Sequence, residues 1–209
     1  MPTELARRNG ARPVKKRALV QLKAGTKVAG QKLPEYLYPQ EVEALIKQAP
    51  HAQARLVMLC QWRAGLRVSE ALALEVADLG LADDNPTLRV RRGKGNKARL
   101  VPIHPELTVG LGNFLDYSNT RRGKLFSAHR STAWRWVQDA AMKAIQLNQL
   151  PQGKEIGTHT LRHSFARHVL ANGVPLNVLS KWLGHASIQT TLIYLEILPD
   201  PTGYMDRVP

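Results

Sequence analysis

One cysteine in 209 residues, Cys60, excludes an internal disulfide and leaves no cysteine set for zinc. No apolar run approaches the ~20 residues a helix needs to cross a bilayer, so no membrane partner is expected. Acidic residues are scarce: 16 Asp or Glu stand against 30 Lys or Arg, a formal net charge of +14. Such a surplus points to a polyanionic partner, with nucleic acid the first candidate. The basic N-terminus lacks the apolar stretch of a secretory signal, so it is read as retained in the mature chain, in an intracellular, reducing setting.

The charge is uneven. Residues 1–32 carry nine Lys or Arg against Glu4, a local net of +8, with Lys15, Lys16 and Arg17 at the densest point. This segment has no apolar periodicity and contains Gly10, Gly25 and Gly30, the composition of a flexible basic arm suited to following a DNA groove. Residues 33–198 are expected to form one domain, and residues 199–209, punctuated by Pro199, Pro201, Gly203 and Pro209, an extended tail.

Within the domain, apolar spacing and Gly or Pro stops predict helices near 39–49, 51–64, 68–76, 106–117, 131–147, 159–171, 175–183 and 187–195, with Gly65, Gly173 and Gly184 at helix ends. Leu88 and Val90 alternate with Arg89 and Arg91 as in a strand with one wet, basic face. The turn Gly93-Lys94-Gly95-Asn96 then leads into a second strand over 98–103. The fold class is therefore mainly α with a small antiparallel β-hairpin or sheet (α+β). Arg91, Arg92, Lys97 and Arg99, on or beside that hairpin, are candidate DNA contacts.

Breaking a phosphodiester without a metal needs an in-line nucleophile, cations for the charge of the transition state, and an acid for the leaving oxygen. Arginine suits the second role because its planar fork donates paired hydrogen bonds and keeps its charge. Four separated segments supply such groups: Gly65-Leu66-Arg67-Val68-Ser69-Glu70; Gly93-Lys94-Gly95-Asn96-Lys97-Ala98-Arg99; His159-Thr160-Leu161-Arg162-His163-Ser164-Phe165-Ala166; and Leu183-Gly184-His185, followed nine residues later by Tyr194.

These four pieces, in this order and over roughly Leu33 to Leu195, resemble the catalytic domain of tyrosine recombinases, the family of phage integrases, Xer proteins and Cre. The resemblance implies catalytic roles for Arg67, Lys94, His159, Arg162, His185 and Tyr194, with Glu70 supporting their hydrogen bonds. It implies that Tyr194 attacks the scissile phosphate to give a 3′-phosphotyrosyl link and a free 5′-hydroxyl, that Arg67, Arg162 and His185 hold the non-bridging oxygens, that Lys94 protonates the leaving oxygen, and that His159 assists the phenolic proton. No cofactor or metal is implied. The partners implied are double-stranded DNA and further copies of the chain: a homotetramer on DNA, a monomer or dimer in solution. The setting implied is cytoplasmic and nucleoid-associated, of bacterial, phage or plasmid origin. Two other readings stand beside it: a type IB topoisomerase, which shares the chemistry, and a non-catalytic DNA-binding regulator, which has no need of a nucleophile.

Blander explanations cover other residues. His159 and His163, four apart, have the spacing of a zinc pair, but Arg162 places a fixed cation between them, so metal is set aside. His163 and His168 are read as structural, Leu161, Phe165 and Val169 as a core stripe, Trp134 as core and Cys60 as a buried small hydrophobe. Most family members place a helical core-binding domain before the catalytic one, whereas about 32 residues precede it here. The chain is then either a fragment or a small member resembling the fimbrial-type invertases; Met1 and the continuous basic arm favour the second.

Overall fold

The computed structural model describes residues 33–82, 84–91 and 98–198, and the backbone of 27–28 and 31–32. Lys15, Lys16, Arg17, Arg92, Lys94 and Lys97 lie outside the described residues, as do the tail 199–209 and most of the basic arm. Where the arm's backbone is described, β1 (Lys27–Val28) pairs antiparallel with β2 (Gln31–Lys32).

Folding around the core begins at Leu33, which is buried. Helix α1 (Pro39–Lys47) opens on a proline, and the Glu41 carboxylate accepts the Tyr38 N–H at 2.8 Å; its buried residues Val42, Leu45 and Ile46 form one stripe. Helix α2 (Ala52–Arg63) buries every residue from Leu56 to Trp62, Cys60 among them, and packs against five of the other helices. Helix α3 (Val68–Leu72) is shorter than the expected 68–76. The Val76 N–H goes to the Gly123 carbonyl and the Leu125 N–H to the Leu74 carbonyl, so pairing with a distant segment takes bonds that a longer helix would need. A 3₁₀ turn (Val76–Asp78) follows.

The sheet has three antiparallel strands in the order β3 (Leu79–Gly80), β4 (Thr87–Val90) and β5 (Arg99–Pro102), with Leu88 opposite Val101 and Val90 opposite Arg99. β3, only two residues long, was not expected from the sequence, since it is too short to show alternation. The remaining helices are α4 (Pro105–Ser118), α5 (Arg130–Gln146), α6 (Thr158–Ala171), α7 (Leu176–Leu183) and α8 (Gln189–Leu192). The single helix expected over 187–195 is interrupted: the N–H groups of Thr191 and Tyr194 bond three residues back, and a 3₁₀ turn (Leu195–Ile197) follows the tyrosine. Trp134 departs from expectation and is 51% exposed, because the buried stripe of α5 runs through Ala133, Val137, Ala140, Ala141 and Ala144. No helix among the described residues is long and apolar enough to cross a membrane.

Gly65 sets the angle between α2 and α3. Its φ of +62° lies in the left-handed region, and a Cβ there would sit 2.5 Å from Phe165 Cδ1. Gly65→Ala combines backbone strain with overpacking and should cost more than about 2 kcal/mol. Urea unfolding measures this; a loss below ~0.5 kcal/mol would show that the turn tolerates a side chain.

Candidate active site

Glu70 is the third residue of α3, where its carboxylate caps the helix by accepting the Arg67 N–H at 2.8 Å. The same buried carboxylate gathers three guanidinium groups. Oε1 accepts from Arg67 Nη1 at 2.9 Å and from Arg99 Nη1 at 3.0 Å; Oε2 accepts from Arg99 Nη2 at 2.8 Å and lies 3.6 Å from Arg162 Nη1. Burial alone would raise the Glu70 carboxyl, but hydrogen bonds from Arg99 and the Arg67 N–H outweigh it and hold the group below the ordinary glutamate range.

Arg162, on α6, is 3% exposed and spans the two loops that carry the other motifs: Nη1 donates to the Gly65 carbonyl at 2.7 Å and Nη2 to the Leu183 carbonyl at 2.6 Å. Burial and the neighbouring Arg67 lower its pKa to about 10, so it remains a cation at neutral pH. Nη2 also lies 3.3 Å from His185 Nε2, while His185 Nδ1 is 2.8 Å from Thr191 Oγ1. A guanidinium can only donate, so Nε2 is the acceptor and Nδ1 carries the proton, donated to Thr191. Burial, with Arg162 and Arg67 nearby, lowers His185 to about 4.

Leu-Gly-His acquires a structural meaning here. Leu183 closes α7 and offers its carbonyl to Arg162 and, at 3.4 Å, to Arg67. Gly184 is the left-handed cap at φ +64°, and a Cβ on it would approach Arg99 Nη1 to 2.8 Å. His185 is thereby delivered to the arginines.

Tyr194 is 3% exposed, with its ring stacked at 6.4 Å on His185 and its oxygen 2.9 Å from His163 Nδ1. Burial raises the phenol's pKa, opposed by Arg162 and Arg67. The turn after it is tied back by Arg167, whose Nε donates to the Ile197 carbonyl at 3.0 Å while its guanidinium lies over Tyr36 and Tyr38.

The structure thus brings together Arg67, Glu70, Arg162, His185 and Tyr194. His159 sits exposed near the start of α6; burial of part of the ring and the cations Arg162, Arg130 and Arg67 lower its pKa, and no hydrogen bond joins it to Tyr194. His163, read from sequence as structural, is the side chain that meets the phenol. Two proposed DNA contacts are otherwise engaged. Arg99 is committed to Glu70 and, through Nε at 2.7 Å, to the Trp182 carbonyl, so it organises the site. Arg91 pairs with Asp78 at 2.6 Å and with Glu75 at 2.7 Å, and Arg89 shares Asp78 at 3.4 Å, so the basic strand face is neutralised by acids of the preceding turn.

Because Glu70 is more acidic folded than unfolded, its stabilising effect is present above the unfolded value and is lost as pH falls through the folded one. Glu70→Gln should cost about 3 kcal/mol at pH 7, with the gap to the parent narrowing below about pH 4. Urea midpoints at both pH values test this; a pH-independent gap, or none, would contradict it.

The phage integrase family matches residues 35–199. A tyrosine recombinase of Thermosipho africanus is 33% identical over 174 residues, 79% of this chain and 58% of that protein. The crystal structure of XerA recombinase superposes with a TM-score of 0.70 at 32% identity, over 86% of this chain and 65% of that one. The catalytic domain of bacteriophage HP1 integrase gives 0.62 at 26% identity, over 82% and 91%. The chain spans less than two thirds of the first two of these proteins. Carrying the arginine, histidine and tyrosine motifs in this order on this fold, the chain belongs to the phage integrase family.

Proposed function

We propose that the chain is a site-specific DNA recombinase that cleaves and rejoins double-stranded DNA through a 3′-phosphotyrosyl intermediate on Tyr194. The observation that carries this is that Arg67 and Arg162 converge on the single carboxylate of Glu70 while His185, beside Arg162, stacks on the ring of Tyr194. Arg67 keeps the most open side chain of the three arginines joined to Glu70, 23% exposed, so it meets the phosphate first; Arg162 holds the floor of the site. Positive charge fixed before the substrate arrives favours the transition state, which carries more negative charge than the diester. Lys94 is the proposed acid for the leaving 5′-oxygen. The phosphotyrosine retains the energy of the broken bond, so a 5′-hydroxyl from another strand can reverse the step without a nucleotide cofactor.

The phenol is buried with its oxygen on His163, so DNA binding has to open the surface over that oxygen for a duplex phosphate to reach it. Ile188, Leu192 and Leu195, which flank the tyrosine segment, are each more than 40% exposed and offer an apolar surface for the neighbouring subunits of a homotetramer on DNA. The setting proposed is cytoplasmic, on the nucleoid.

The test uses nicked duplexes of randomised sequence, in which cleavage releases a short strand and traps the protein on DNA as an SDS-resistant adduct. The parent chain should form adducts in EDTA as well as without it, since the arginines supply the charge. Tyr194→Phe should form none while binding the captured duplex within a few-fold of the parent. Adducts that persist in Tyr194→Phe, or that require a divalent ion, would overturn the reading.

A further inference from the structure

We propose that His163 is the base that takes the phenolic proton of Tyr194, an inference that rests on the recombinase reading above. Among the described residues, the phenol oxygen hydrogen-bonds one side chain, His163, through Nδ1 at 2.9 Å. The two rings lie 5.7 Å apart, and His163 directly follows Arg162 on α6, so the helix that fixes the phosphate clamp also fixes this imidazole. A proton acceptor for a nucleophile needs this arrangement: contact with the reacting oxygen and rigid placement relative to the phosphate.

His159 meets neither condition as well. It is exposed, its ring lies 6.1 Å from that of His163, and no hydrogen bond joins it to the phenol, whose oxygen is on His163. The two histidines and Arg130, Trp134, Glu35 and Glu155 border an open cavity of about 500 Å³, which gives the transferred proton a route to solvent.

The charged surroundings fit a base that acts only when DNA is present. Burial lowers His163 to about 4, with His159, Arg162 and His185 adding to it. The ring is therefore neutral at physiological pH and one of its nitrogens is an acceptor. Arg130 on α5 faces the same cavity as a cation, while Glu35 and Glu155 face it as acids. A phosphate seated on Arg162 and Arg67 cancels part of the field that opposes protonation, so basicity rises as the substrate arrives.

The step balances without a further reagent. The Tyr194 oxygen bonds to phosphorus as the P–O5′ bond breaks, and the phenolic proton passes to His163 Nδ1. The 5′-oxygen takes a proton from a separate acid, for which Lys94 is the candidate. On rejoining, the 5′-hydroxyl gives its proton back to that acid as its oxygen bonds to phosphorus, the bond from phosphorus to the Tyr194 oxygen breaks, and His163 returns the phenolic proton.

The experiment compares His163→Asn and His163→Gln with the parent chain on a duplex selected as above. The duplex is made once with ordinary phosphate and once with sulfur replacing the bridging 5′-oxygen. Asn places an amide near the position of Nδ1 and Gln near that of Nε2, and neither takes up a proton. A sulfur leaving group needs no acid, so its use separates help given to the leaving group from help given to the nucleophile. Adduct formation by both variants should fall at least about 100-fold on both substrates, with DNA affinity and circular dichroism unchanged. If one variant fails to fold, the other carries the comparison. Rates within about threefold of the parent, or a defect that disappears on the sulfur substrate, would overturn the role of His163 and leave the recombinase reading intact. A parent chain that forms no adduct on either substrate would overturn both.

Discussion

A buried carboxylate surrounded by guanidinium groups is the constraint on which this site depends. Three arginines close together repel one another and resist burial; without Glu70 between them the cluster of Arg67, Arg99 and Arg162 would carry uncompensated charge in a low-dielectric interior. With it, each guanidinium takes a fixed orientation, and each comes from a different part of the chain: the start of α3, the start of β5 and the middle of α6. Glu70 also caps its own helix, so the local fold and the assembly of the site rest on the same four oxygen lone-pair positions. The arrangement is preorganised, with its charge paid for during folding rather than at the moment of reaction.

The loops that supply backbone carbonyls are equally part of the construction. Gly65 and Leu183 direct their carbonyl oxygens at Arg162, which ties the α2–α3 turn to the end of α7. Both loops contain a glycine with positive φ, and each glycine lies under a side chain that leaves no room for a Cβ: Phe165 over Gly65 and Arg99 over Gly184. The motifs Gly-Leu-Arg and Leu-Gly-His are thus packing requirements as well as chemical ones.

Much of this was legible in the sequence. Gly and Pro punctuation placed the helices within a few residues, and the order of four motifs pointed to Arg67, Glu70, Arg162, His185 and Tyr194, which the fold brings together. The misses have identifiable physical causes. Arg99 was grouped with the wet hairpin residues, yet strand alternation puts it on the face of buried Val101, opposite exposed Leu100. Trp134 is expected in the core because its spacing from Val137 and Ala141 brings it to the edge of the α5 stripe, but at that edge, in the first turn of the helix, it stays 51% exposed. His163 was dismissed with the zinc pair; its separation of four from His159 did place both on one helix face, but only tertiary packing could show which of them meets the phenol. The pairing of Arg91 with Asp78 and Glu75 joins strand to turn, and no local pattern announces it.

The account stands or falls on which atom becomes joined to DNA. After capture of the parent chain on nicked duplex, nuclease trimming and proteolysis leave a short nucleotide on one peptide, which tandem mass spectrometry locates. The expected result is a 3′-phosphonucleotide on the oxygen of Tyr194. A nucleotide on another residue, or one attached through its 5′ end, would contradict the mechanism.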